Sequence, residues 1–226
     1  MLHFFLKAYL CSKSKKMIKT DISNTKFFFE NSHKKVEISN NRKELLSKIA
    51  TTIATNYSSN NNEVAINFIC THNSRRSQLG QVWTFFAANY FGLHINSLSG
   101  GTEVTAFHRN TVKTLKDVGF TFTIEEFSHT NPKYQVSFNG TTNSLLGFSK
   151  TYDDPVNISP FIVITTCNNA DENCPFIPEA IHRFHLPYTD PKHSDNSSEQ
   201  DETYLKTSRE IAAEMYFLFK KVKESL

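Results

Sequence analysis

Apolar residues recur along the chain at two periods, and the pattern switches between them several times. From Arg42 to Tyr57, Leu45, Ile49, Ile53 and Tyr57 fall on every fourth residue, which predicts one face of an amphipathic helix. The run Ser58-Ser59-Asn60-Asn61-Asn62 ends it. Val64 to Ile69 is a continuous apolar run suited to a buried parallel strand. Leu79, Val82, Trp83, Phe86, Ala87 and Tyr90 then return to helical spacing and stop near Gly92. His94 to Leu98 reads as a second strand, ending in Ser99-Gly100-Gly101, and Val112, Leu115 and Val118 as a second helix closed by Gly119. Lys133 to Phe138 and Leu145 to Phe148 flank Asn139-Gly140-Thr141-Thr142, a hairpin signal. Phe161 to Thr165 and Ile181 to Leu186 read as further strands, and Tyr204 to Val222 as a long terminal helix. Alternation of this kind predicts an α/β domain with a parallel sheet.

The segment before this alternation is different. Residues 18–41 are rich in Asn, Ser and Lys, with Phe27, Phe28 and Phe29 as their apolar cluster, and read as an extended leader that packs locally. Residues 1–62 are therefore expected to form an N-terminal extension with one amphipathic helix, and residues 63–226 the main domain. Leu2 to Leu10 is too short to span a bilayer, and its basic residues follow the apolar part instead of preceding it, unlike a signal peptide. Met17 offers a second start. The cytoplasm is the expected compartment.

Composition narrows the partners. The 226 residues are 38% hydrophobic and 21% charged, as in ordinary globular proteins, and 20 Phe against one Trp predict a phenylalanine-rich core. A net charge of +3 without a long Lys/Arg run gives no nucleic-acid footprint. The four cysteines, Cys11, Cys70, Cys167 and Cys174, are too widely spaced for a compact zinc knuckle. No metal is expected.

The loop between the first strand and its helix carries the chemistry. Cys70 and Arg76 stand in a C-x5-R spacing across Thr71-His72-Asn73-Ser74-Arg75, and Ser77 follows. A loop that ends at a helix N-terminus can curl its amides round a tetrahedral oxyanion, with a guanidinium closing on two oxygens. The same positive field favours a thiolate nucleophile at Cys70. Ser77 is in reach to donate to the sulfur or to a leaving group. Against this, C-x5-R arises by chance, and a thiol at a strand end is often simply buried.

CTHNSRRSQ resembles the phosphate-binding loop of low-molecular-weight protein tyrosine phosphatases and thioredoxin-coupled arsenate reductases, and Ser99-Gly100-Gly101-Thr102-Glu103 resembles their S-A-G-T-E segment. The resemblance spans about residues 64–224, with an insertion near 128–159. It implies a four-stranded parallel sheet flanked by helices, an oxyanion site of Thr71, His72, Asn73, Ser74, Arg75 and Ser77 beside Cys70 and Arg76, and no bound organic cofactor. His72 stands where these families usually have Gly, and Arg75 where they have Cys or an aliphatic residue.

Cys167 and Cys174-Pro175 are similar to the C-x6-C-P pair of the reductases. That similarity implies a relay in which Cys167 releases arsenite from a Cys70 adduct and Cys174 resolves the disulfide, leaving a pair for an external dithiol such as thioredoxin. Asp190, in Thr189-Asp190-Pro191, falls where the family has its acid; Asp154, in Asp153-Asp154-Pro155, is the rival. Arsenate reduction is the expected activity. Hydrolysis of a phosphomonoester through a Cys70 phosphoenzyme is the alternative, and a phosphate-binding module without turnover the third reading.

Overall fold

The structure, a computed structural model, describes residues 25–173 and 176–226. Two helices come first, α1 (Thr25–Lys35) and α2 (Asn40–Ser59), followed by β1 (Val64–Cys70), α3 (Arg76–Phe91), β2 (Ile95–Gly101) and α4 (Arg109–Asp117). Three strands form next, β3 (Phe120–Glu126), β4 (Lys133–Phe138) and β5 (Leu145–Gly147). The chain closes with β6 (Phe161–Thr165), α5 (Asn168–Asn173), β7 (Ala180–His185), a 3-10 turn (Pro191–Ser194) and α6 (Gln200–Glu224).

The main sheet has four parallel strands in the order β2-β1-β6-β7, flanked by helices. All seven residues of β1 are buried, as a central strand covered on both faces requires. Its alternate side chains divide between two cores. Ile66 and Phe68 face the large one with α3 and α6; Ala65, Ile69 and Cys70 face a smaller one with Phe161, Val163, Cys167 and Ala170. Gly92, in the left-handed region at φ 66, ends α3 by donating its N–H to the Ala88 and Asn89 carbonyls.

Three expectations change. The leader is not extended over its described part: residues 25–35 are helical, and residues 18–24 of that reading, like Cys11 and Met17, lie outside the described residues. Three consecutive phenylalanines hide the helical period, because only Phe28 and Phe29 turn inward while Phe27 is 56% exposed. The N-terminal segment therefore contributes two helices. It also shares the large core, where Phe29 packs on Trp83, Phe86, Tyr90 and Tyr216. Arg42 of α2 reaches the buried Glu214 of α6 at 2.7 Å and 2.9 Å.

Second, the hairpin of β4 and β5 is joined by β3, giving a three-stranded antiparallel sheet. The alternation Phe120-Thr121-Phe122-Thr123-Ile124 is a strand signal lying directly after the helix-ending Gly119. Third, the segment after Cys167, to which the sequence pattern assigned no element, begins as the short helix α5. No helix among the described residues is long and apolar enough to cross a membrane.

Candidate active site

Cys70 is the last residue of β1, and the loop after it turns into α3 at Arg76. Four successive loop carbonyls face outward onto the scaffold. The Thr71 carbonyl accepts from the Glu103 N–H at 2.8 Å and from Thr102 Oγ1 at 3.2 Å. The His72 carbonyl accepts from Thr105 Oγ1 at 3.1 Å and Ser149 Oγ at 2.9 Å, the Asn73 carbonyl from Gln78 Nε2 at 3.1 Å, and the Ser74 carbonyl from the His108 N–H at 3.1 Å. In a trans peptide the N–H opposes the C=O, so the amides of residues 72–75 turn towards the inside of the loop. This is a nest for an anion.

Asn73 makes the curl feasible. It lies in the left-handed region at φ 45, which Asn tolerates better than most residues. Its buried side chain donates to Ser77 Oγ at 2.9 Å and accepts from Gln78 Nε2 and the Lys150 N–H at 3.1 Å and 3.0 Å. Ser77 Oγ lies 3.0 Å from Cys70 Sγ and, while accepting from Asn73, keeps a proton that it can donate to an ionised sulfur.

Arg76 closes the loop. Its Nη2 donates to Asp190 Oδ2 at 2.7 Å and Nη1 to the Tyr188 carbonyl at 3.2 Å, while Nε is buried without a partner. A buried unpaired guanidinium N–H beside inward amides fits an oxygen of a tetrahedral anion. Asp190 thus meets the loop, whereas Asp154 caps its own turn by accepting from the Val156 N–H. Cys167, two residues past β6, is buried, with its sulfur 3.6 Å from Thr71 Oγ1 and accepting from the Ala170 N–H at 3.4 Å. Cys174 lies outside the described residues.

Two loop side chains are engaged elsewhere. His72 is half-exposed, with Nε2 3.3 Å from Glu103. Arg75 turns to Asp195 and Tyr204, each at 2.6 Å, so its guanidinium is directed away from the loop interior and only its backbone joins the nest. Burial disfavours its charge, but the Tyr204 and Asp195 contacts more than offset this and raise its pKa.

The segment after β5 supplies a brace that sequence reasoning missed. Residues 148–152 run along the end of β2, where the Gly101 N–H donates to the Lys150 carbonyl and the Tyr152 N–H to the Gly101 carbonyl. The Phe148 carbonyl holds Gln78, Ser149 holds His72, and the Lys150 amide holds Asn73. Most of these contacts use the backbone and leave no residue-type signature; only Gln78, an amide in the first turn of a buried helix, was a readable signal. Among the described residues no His/Cys/Asp/Glu cluster is placed to hold a metal ion.

A buried thiol at the mouth of an amide nest, with an arginine across it, defines an enzyme that works through a thiolate. No family model matches the chain. It is similar to an arsenate reductase of Brevibacillus brevis, 27% identical over 130 residues that cover 58% of this chain and 78% of that protein. An arsenate reductase of Bacillus subtilis is 26% identical over 145 residues, 64% and 86% of the two chains. The solved structure of a YwlE mutant from Bacillus subtilis shares the fold, with a TM-score of 0.50 and 18% identity over 71% of this chain and 99% of that one. These similarities support the superfamily that unites arsenate reductases with low-molecular-weight protein tyrosine phosphatases.

Proposed function

We propose that the protein reduces arsenate to arsenite in the cytoplasm through Cys70, Cys167 and Cys174, without a bound cofactor. Arsenate docks on the 72–75 amides and Arg76, and the Cys70 thiolate attacks arsenic. A sulfur–arsenic bond forms, and one oxygen leaves as water with a proton from Asp190 in its acid form. Cys167 then attacks the Cys70 sulfur. The sulfur–arsenic bond breaks with its electron pair staying on arsenic, so arsenite departs and a Cys70–Cys167 disulfide remains. Cys174 attacks the Cys167 sulfur and releases Cys70 as thiolate. An external dithiol, such as that of thioredoxin, returns the two electrons to the Cys167–Cys174 pair.

The observation that carries this reading is the buried Cys167 sulfur 3.6 Å from the hydroxyl of Thr71, the residue next to Cys70. Hydrolysis of a phosphate ester has no use for a second thiol there. The names of the relatives agree with the reading. Thioredoxin-dependent arsenate reduction, measured beside aryl-phosphate hydrolysis on one preparation, tests it. Cys167→Ser is expected to abolish arsenate turnover and to leave slow hydrolysis intact; unchanged arsenate turnover refutes the relay. A second reading, a phosphatase, is favoured by the Asp190–Arg76 contact, since loop and acid suffice for that chemistry. Fast hydrolysis with no arsenate reduction by the wild type would select it.

A further inference from the structure

Two consecutive arginines of the Cys70 loop each hold one aspartate of the same short segment. Arg76 takes Asp190, immediately before the 3-10 turn, and Arg75 takes Asp195, immediately after it. The two ends differ in what an arriving anion does to them. An oxyanion in the nest competes with Asp190 for Arg76, whose Nη2 now donates to that carboxylate. Arg75 faces the other way, so its pair with Asp195 is untouched.

The Asp195 end is strongly built. Asp195 Oδ2 accepts from Arg75 Nη2 at 2.6 Å, and Oδ1 accepts from Tyr204 Oη at 2.6 Å and Asn110 Nδ2 at 3.2 Å. Tyr204 is fully buried in α6, also accepts from Arg75 Nε, and lies 3.2 Å from His108 Nδ1. Burial pushes the Asp195 carboxyl up, but the Tyr204 hydroxyl and the Arg75 charge outweigh it and hold it below the usual range. Burial and Arg75 push His108 down, which favours its neutral form. Charge-assisted pairs shielded from water in this way are among the stronger single contacts a loop can have.

We propose that Asp195, gripped by Arg75 and Tyr204, is a positioning residue for the acid step: it keeps the 190–195 segment over the Cys70 loop when the oxyanion displaces Asp190 from Arg76. The released carboxyl then stays within reach of the departing oxygen instead of swinging into solvent with its segment. The proposal rests on the reading of the loop as an oxyanion site with Asp190 as proton donor.

Hydrogen exchange across residues 191–197 of the full chain tests the clamp without turnover. Asp190→Asn, which weakens one end, is expected to exchange within about threefold of wild type. Asp190→Asn combined with Asp195→Asn is expected to exchange at least about tenfold faster, as is Asp195→Asn with saturating inorganic phosphate. Wild-type protection in the double variant, or full loss in Asp190→Asn alone, overturns the proposal.

Kinetics give the second readout. Asp195→Asn should lower kcat for aryl phosphates about tenfold to a hundredfold, with KM within about threefold, because only the acid step is misplaced. The loss should be larger for phenyl than for p-nitrophenyl phosphate, a split that mere loss of stability would not produce. Should Asp195→Asn fail to fold, Tyr204→Phe keeps the ring in the core, removes one of the three donors to Asp195, and should move the same quantities in the same direction. An equal loss for both leaving groups overturns the positioning role. A wild type that turns over neither arsenate nor aryl phosphate would remove the site reading instead, and the exchange cycle would still decide the clamp.

Discussion

Lys150 offers a sharp test of how the segment after β5 is packed against the loop. Its ammonium is buried without a hydrogen-bond partner, and its nearest aromatic face is Phe148, with the ring centroid 4.7 Å away. Burial pushes its pKa from 10.5 down to about 8, opposed only by the charge of Asp154. At about 1.4 kcal/mol for each tenfold change in proton affinity, that fall corresponds to ~3 kcal/mol of destabilisation when the group is charged. A lysine whose folded pKa is lowered binds fewer protons in the folded than in the unfolded chain. The penalty is therefore complete below pH 8 and fades as pH rises towards 10.5. Lys150→Met keeps the stem and leaves the backbone N–H that holds Asn73 in place. Urea unfolding should find the variant more stable by up to ~3 kcal/mol at pH 7 and by only ~1 kcal/mol at pH 9.5. Equal differences at the two pH values, or a less stable variant at pH 7, would refute the account of Lys150 as an uncompensated buried charge.

Two other substitutions probe the packing and the loop. Phe29→Ala removes a fully buried ring that touches Trp83, Phe86, Tyr90 and Tyr216, and should cost about 3–5 kcal/mol in urea unfolding; a loss under ~1 kcal/mol would mean that α1 is not part of the core. Asn73→Gly relieves the left-handed backbone but deletes the side-chain bonds to Ser77, Gln78 and Lys150, so phosphate affinity measured by calorimetry should fall about tenfold or more, and Asn73→Ala, strained at φ 45 as well, should be less stable than Asn73→Gly.

What could be read from the sequence follows from where the chemistry lies along the chain. A C-x5-R loop is legible because its nucleophile, amides and guanidinium are contiguous and lie between a buried strand and a helix. Two of the parallel strands, β1 and β6, were legible as continuous apolar runs, whereas the count of four came from the family resemblance. The Arg75–Asp195 pair was not, since its members stand 120 residues apart and nothing local marks either one. The brace formed by residues 148–152 was illegible for another reason: it acts through carbonyls, amides and one serine hydroxyl, which any sequence supplies. The helix α1 was hidden by Phe27, whose side chain shares the composition of Phe28 and Phe29 but not their direction.

The order of the sheet explains why residues so far apart meet. β1, β6 and β7 are neighbours, and each delivers one group from its carboxyl end: Cys70 ends β1, Cys167 follows β6, and Asp190 follows β7. The chain leaves β1 for β2 on one side and returns to β6 on the other, so the Cys70 loop opens at the point where the strand order reverses, the usual crevice of an open parallel sheet. The return from β2 to β6 delivers none of those three groups. It carries the antiparallel sheet of β3, β4 and β5, and its last residues come back along β2 to hold the loop. The far end of this connection thus stiffens the loop that the three reactive groups share.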